Sequence, residues 1–200
     1  DDCVLLFMAE GAAGIARGTA EGIAEIVARH PECRSVDSDL IEAWFNDLTW
    51  GLDKIDRENE RIRTTRNVNR TTEVSAGWSS INEIYQAAIE RIRNEIPDIT
   101  ILGGHSSHSY INGTNMYFNY FYDVVDCKPE DEVTKYYLPI IAIICEETLR
   151  RGGSIVHHHG IGKARAPWVR EEYGSSFVIL ERLKNAFDPN GVMNKGTIIP

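Results

Sequence analysis

The order of elements in this sequence predicts an α+β domain, a sheet with helices packed on one face. Three observations carry that expectation. Helical and extended patterns alternate along the 200 residues. Two of the extended segments flank Ile111-Asn112-Gly113, and Asn-Gly signals a hairpin. The glycine signatures of a nucleotide-binding parallel sheet are missing: Glu10-Gly11-Ala12-Ala13-Gly14 does not spell G-x-G-x-x-G. Likewise, Gly160-Ile161-Gly162-Lys163 lacks the first glycine and the Ser/Thr of a P-loop.

Val4-Leu5-Leu6-Phe7-Met8 reads as a buried strand over residues 3–8. The chain opens on it without an initiator Met, as a piece cut from something longer would. Glu10-Gly11 leads into a helix over about 12–29, which should stop near His30-Pro31 because the residue before a proline avoids helical backbone. A short extended piece follows at 34–37. Ser38 then caps a long helix whose apolar residues Ile41, Phe45, Leu48, Leu52 and Ile55 make one continuous stripe. Asp56 to Arg66 is dense in mixed charge and reads as a solvated face with i,i+4 pairs.

Thr71 to Ala76 alternates as a strand does. Ser80-Ile81-Asn82-Glu83 has the form of a capping box, and Ile81, Ile84, Tyr85, Ala88 and Ile92 give its helix a buried face. Residues 99–109 and 114–122 read as the two hairpin strands. A helix over 130–151 is acidic at its start and basic at its end, as the helix dipole favours, and Gly152-Gly153 stops it. Pro139 should kink this helix or mark the first turn of a shorter one. An apolar strand ending in three histidines comes next, then a helix over about 175–187 and a turn at Asp188-Pro189-Asn190-Gly191.

Composition bounds the function. With 42% hydrophobic residues the chain can bury a core, and its length suits one domain. A formal net charge of −9 argues against nucleic-acid or anionic-lipid partners. No apolar run is long enough to span a membrane, and no secretory signal is visible. Cys3, Cys33, Cys127 and Cys145 are scattered without a CxxC pair, which suits reduced thiols in a cytoplasmic protein and gives a zinc knuckle no support.

The reactive stretch is His157-His158-His159-Gly160-Ile161-Gly162-Lys163. Imidazoles titrate near neutral pH and can donate, accept or bind metal, so three together make a ligand- or substrate-facing surface. Strand alternation would put His157 and His159 on one face and His158 on the other. Two bland or rival readings stay open. One is a solvated His turn. The other is a metal site in a protein without flavin, with His157 and His159 joined by His105 or His108 and a carboxylate.

Beyond the His stretch runs Leu183-Lys184-Asn185-Ala186-Phe187-Asp188-Pro189-Asn190-Gly191-Val192-Met193-Asn194. With the His-Gly motif it resembles the C-terminal part of FAD-linked oxidases, the vanillyl-alcohol-oxidase-type flavoproteins. Glu73-Val74-Ser75-Ala76-Gly77-Trp78 and Met116-Tyr117-Phe118 are weaker matches in the same order, so the resemblance covers nearly the whole chain. The triple His is similar to the alkylglycerone-phosphate (alkyldihydroxyacetonephosphate) synthase branch. D-lactate and glycolate dehydrogenases more often carry Glu-His-Gly-Ile-Gly there.

The resemblance implies a substrate-binding cap domain with a ferredoxin-like antiparallel sheet and a C-terminal helical tail, in which residues 165–200 return toward the FAD-binding domain. It implies FAD bound mainly by an N-terminal domain outside these 200 residues, which would be this domain's partner, and a possible homodimer. The substrate would be a hydroxy acid, an alcohol or an acyl-glycerone phosphate. Tyr117 matches the family's active-site tyrosine, and His157, His158 and His159 match its His cluster, as catalytic residues. His158, Gly160 and Asn194 would touch the flavin; no resident metal is implied. Asn194-Lys195-Gly196-Thr197 departs from the usual Asn-Pro-Gly-Lys, which puts that turn in doubt. An arginine for the substrate anion is implied before Glu73, with Arg57, Arg61, Arg63 and Arg66 competing. By residue pattern alone, Tyr117 reads equally as a core aromatic, and His105 and His108 read as surface-loop residues.

Overall fold

The computed structural model describes residues 4–49 and 51–199. They form two compact units, one ending at Asp56 and one beginning at Arg57.

In the first unit, α1 (Ala13–Val27) matches the expected helix. Of the strand expected at 3–8, Cys3 lies outside the described residues and 4–8 form no strand. Val4, Leu5, Phe7 and Met8 are exposed, so the apolar run has neither a ladder partner nor a covered face among the described residues. The stripe from Ile41 to Ile55 is also split. Helix α2 (Ser38–Asn46) ends where the Asp47 N–H returns to Ala43 and Trp44 carbonyls, and α3 (Leu52–Thr65) restarts on the Gly51 carbonyl, which accepts from Lys54 and Ile55. Asp37 rather than Ser38 is the cap of α2, accepting the Asp39 N–H at 3.0 Å. The charged stretch 56–66 lies on α3, where Glu58 and Arg61 pair at 2.6 Å.

The second unit is built on a three-stranded antiparallel sheet in the order β1 (Asn67–Gly77), β3 (Gly113–Asp123), β2 (Ile99–His105). Strand β2 stops at His105 instead of 109. The cause is Asn115, whose Oδ1 accepts the Ser107 and His108 N–H groups and so curls 106–108 into a loop. The chain then reverses around Ile111-Asn112, where the Tyr110 N–H donates to the Gly113 carbonyl.

Helix α4 (Ile81–Glu95) lacks the expected capping box, because the Ser80 hydroxyl turns back to the Gly77 carbonyl. Before α5 (Leu138–Arg150), residues 133–137 form one π-type turn. Pro139 has no N–H for the carbonyl four residues earlier, so the regular ladder begins only there, in its first turn. A helix not expected from the sequence, α6 (Ala166–Tyr173), starts with Pro167 in its first turn and ends at Gly174, whose φ is +51°. Helix α7 (Phe177–Phe187) follows.

Helices α4 and α5 cover one face of the sheet. Ile84, Ala88 and Ile92 meet Val74, Phe118, Tyr120 and Tyr122, with Ile140 and Ile144 from α5, and all are fully buried. Burying each large apolar side chain stabilises by ~1.5–3 kcal/mol. A second cluster of Ile141, Cys145, Ile155, Val169 and Phe177 joins α5, α6 and α7 to the segment that leads into the histidines.

Glu147, almost fully buried on α5, binds Arg91 at 2.7 Å, Arg151 at 2.5 Å and also Arg150. Burial opposes its ionisation, but hydrogen bonds from Arg91 and Arg151 and the charges of Arg150 and Arg151 prevail and hold its pKa below 4.5. A depressed folded pKa contributes stability above the unfolded value that disappears as pH falls through the folded one. Glu147→Gln should therefore cost about 2 kcal/mol at pH 7. In melts at stepwise lower pH, the gap to wild type should close below about pH 4.5. A gap constant down to pH 3 (about 1.5 units lower) would exclude this account.

Candidate active site

The sheet face away from α4 and α5 carries the polar residues. In the ladder, Glu73 of β1 pairs with Tyr117 of β3, and Tyr117 pairs with His105 of β2. One transverse row, Glu73–Tyr117–His105, therefore crosses all three strands. The His105 and Tyr117 rings stack with centroids 4.8 Å apart and planes 10° from parallel. Asn119 Nδ2 meets His105 Nδ1 at 2.8 Å. Glu73 has no exposed surface, and Asn115 Nδ2 donates to its Oε1.

Onto this row folds the His turn. Residues 153–156 are not a full strand: only Ser154 pairs, exchanging backbone bonds of 3.1 and 2.8 Å with Ser75. His158 then takes φ +38°, in the left-handed region that L residues rarely adopt. This corrects the expectation of alternating faces. All three imidazoles converge on Glu73: His157 Nδ1 lies 2.9 Å from Oε1, while His158 Nε2 and His159 Nε2 lie 2.8 and 3.3 Å from Oε2. Those last two approaches are near in distance but poorly aligned, so Oε2 has no hydrogen bond among the described residues. Tyr117 Oη bonds His158 Nε2 at 2.9 Å and His159 Nε2 at 3.1 Å.

The loop 106–112 supplies another wall. His108 sits with its ring centroid 5.1 Å from His157 and 5.4 Å from His158. Tyr110 Oη bonds His157 Nε2 at 2.9 Å, and the loop backbone is pinned where Trp78 Nε1 donates to the Tyr110 carbonyl. His105 and His108 are exposed, His108 in a loop as expected, and their rings lie against Tyr117 and against His157 and His158 respectively. Glu73 as the buried anchor, Asn115 and Tyr110 were not singled out from sequence. Only the strand register identifies Glu73, since an acid in an alternating strand otherwise reads as solvated.

Electrostatics follow from this burial. Burial, then the nearby Glu73 charge, push the Tyr117 phenol above its ordinary pKa, so it stays protonated as a donor. Burial also lowers the His159 pKa. The Glu73 charge opposes that, and His158, Arg165 and His157 reinforce it, which favours the neutral imidazole.

Gly160 and Gly162 have φ of +77° and +59° and open space where a Cβ would stand. Asn194 has φ +47°, and the tail beyond it returns to this turn, with the Ile198 N–H donating to the Gly162 carbonyl at 3.4 Å. His158, Gly160 and Asn194 are therefore on segments that meet. Of the competing arginines, Arg61 binds Glu58, Arg63 faces Glu60, and Arg66 donates to the Cys127 carbonyl. Glu73, His108, His157 and His158 each place one possible metal-ligand atom within 4.8 Å of the others. That set keeps His157, His108 and a carboxylate of the rival metal reading, with His158 in the place expected for His159. His157 meets Glu73 through Nδ1 and Tyr110 through Nε2.

Comparison with known proteins gives the same direction. The family model described as FAD linked oxidases, C-terminal domain, matches residues 3–198. An uncharacterized FAD-linked oxidoreductase of Escherichia coli (strain K12), YgcU, is 63% identical over 201 residues, 99% of this chain but 42% of the relative. Alkyldihydroxyacetonephosphate synthase of Trypanosoma brucei brucei is 28% identical over 100 residues, half of this chain and 16% of that protein. A solved structure of an alkyldihydroxyacetonephosphate synthase aligns with TM-score 0.54 at 14% identity, covering 92% of this chain and 29% of that one, a likeness of fold. The chain spans less than half the length of these relatives. No helix among the described residues is long and apolar enough to cross a membrane.

Proposed function

The chain belongs to the FAD-linked oxidase C-terminal domain family, and on that premise we propose that it is the substrate-binding cap of an FAD-dependent oxidoreductase. The observation that carries this reading is the convergence of Tyr117 and three imidazoles on the buried Glu73 carboxylate, on the sheet face that α4 and α5 leave uncovered. Such a cluster binds a hydroxyl or acid oxygen and moves its proton. FAD, when bound, supplies the two-electron acceptor that no side chain here provides.

The flavin's main anchor is an N-terminal FAD-binding domain of the full-length protein, in keeping with a chain that spans 42% of its E. coli relative. His158, Gly160 and Asn194 face the flavin ring: His158 is half exposed, and the glycine offers backbone without a side chain in the way. Residues 165–200 return toward that domain, with Phe187, Val192 and Met193 exposed along the way. The substrate is a small hydroxy acid or alcohol. A second reading, exchange of alkyl for acyl on an acyl-glycerone phosphate, is favoured by the triple His and by the synthase names among the relatives.

Anaerobic mixing of the full-length flavoprotein with glycolate, lactate and simple alcohols tests the choice. Bleaching of the oxidised flavin supports the oxidoreductase. No bleaching, with exchange on acyl-glycerone phosphate, replaces it by the synthase reading. In the bleaching assay Tyr117→Phe should slow reduction by about 10²-fold with flavin affinity unchanged. Wild-type reduction would return Tyr117 to a packing role.

A further inference from the structure

Two phenols flank the Glu73 carboxylate, and the imidazoles between them are wired differently. On the Tyr117 side, His158 and His159 each present the same nitrogen, Nε2, to both the phenol and the carboxylate. Neither imidazole therefore bridges the two groups. On the other side His157 does bridge: Nδ1 faces Glu73 Oε1 at 2.9 Å, and Nε2 faces Tyr110 Oη at 2.9 Å. An ionised carboxylate only accepts, so Nδ1 carries the proton of the neutral ring. That leaves the Nε2 lone pair for the Tyr110 hydroxyl. Carboxylate, imidazole and hydroxyl in series are what a base acting through histidine requires.

Burial increases along the series, from Tyr110, half exposed, through His157 to Glu73 with no exposure. The reactive oxygen is thus at the open end and the charge-balancing group at the closed end. The loop that carries Tyr110 is held by Trp78 Nε1 on its carbonyl and by Asn115 Oδ1 on the Ser107 and His108 N–H groups.

We propose, resting on the oxidoreductase reading above, that Tyr110 is the catalytic base for the substrate hydroxyl, acting through His157 onto Glu73, and that Tyr117 is the donor that holds the substrate oxygen. The substrate O–H proton passes to Tyr110 Oη as the Tyr110 proton passes to His157 Nε2. The resulting imidazolium keeps Nδ1–H on the Glu73 carboxylate. FAD, when bound, would accept the hydride from the alcohol carbon, which would become a carbonyl as its hydroxyl proton leaves through Tyr110.

Two measurements on the full-length flavoprotein decide this. In the first, ¹⁵N-histidine spectra at neutral pH should show His157 protonated on Nδ1 and bare on Nε2. A proton on His157 Nε2 overturns the proposal whether or not a substrate is found. The second is anaerobic flavin reduction by glycolate or lactate, where Tyr110→Phe should slow the rate by about 10²-fold. The variant should leave substrate saturation and the His157 tautomer in place, whereas a merely structural role for the ring, which phenylalanine keeps, predicts no loss of rate. Reduction at the wild-type rate in Tyr110→Phe also overturns it. Failure of the wild-type protein to be reduced at all counts against the oxidoreductase reading instead, and the tautomer alone then decides.

Discussion

Glu73→Gln should slow the full-length flavoprotein by on the order of 10³–10⁴-fold, the scale seen when a carboxylate that orients a catalytic imidazole becomes an amide. Glutamine keeps the volume and an oxygen for Asn115 Nδ2, so the sheet should be retained. What it loses is the negative charge that His157, His158 and His159 share. The amide can also donate, which forces at least one imidazole out of its tautomer. Steady-state turnover and a thermal melt of the same sample check this. A rate within about tenfold of wild type would mean that the carboxylate is a packing acid and not the anchor of the site.

Phe118→Ala should lower stability by about 3–5 kcal/mol, or the melting temperature by roughly 6–20 °C. Phe118 is fully buried on β3 and stacks on Tyr85 of α4 with ring centroids 5.8 Å apart. It sits on the core face immediately after Tyr117 on the site face, so the cavity that replaces it also loosens the strand that carries the phenol. Activity should fall along with stability and recover partly in Phe118→Leu. A calorimetric melt unchanged in the alanine variant would contradict the packing of α4 on the sheet.

How far these features could be read from sequence depended on the range of the forces involved. Helix α4 and strand β3 were legible because Ile84, Ala88 and Ile92, or Phe118 and Tyr120, repeat with the local period of their element. Helix α6 was not, since Pro167 hid its start and only the contacts of Val169 with Ile155 and Phe177 reveal its buried side. The apolar run at 4–8 has the composition of a strand without the pairing that makes one. At the site, Tyr117 and the three histidines were visible as residue types. Their meeting point was hidden, because it depends on the β1–β3 register and on one left-handed residue, His158. Tyr110 was hidden for a similar reason: Asn115 folds its loop over the sheet instead of letting β2 continue.

The attachment of the His turn to the sheet has a mechanical consequence. Two backbone bonds at Ser75 and Ser154 clamp the near end of the His turn, and the Ile198 N–H on the Gly162 carbonyl and Arg165 Nη1 on the Gly160 carbonyl hold its far end. Gly153 permits the clamp, since a Cβ there would stand 3.0 Å from the Ser75 carbonyl oxygen. The near end is braced by one side chain of α6: Glu172 accepts from the Ser154 hydroxyl at 2.6 Å and from the Ile155 N–H at 3.1 Å. Glu172 thereby ties α6 to the segment that leads into the three imidazoles. Glu172→Gln should therefore loosen the approach to the His turn while leaving the three-stranded ladder intact, which amide exchange at Ile155 and in the strands would show.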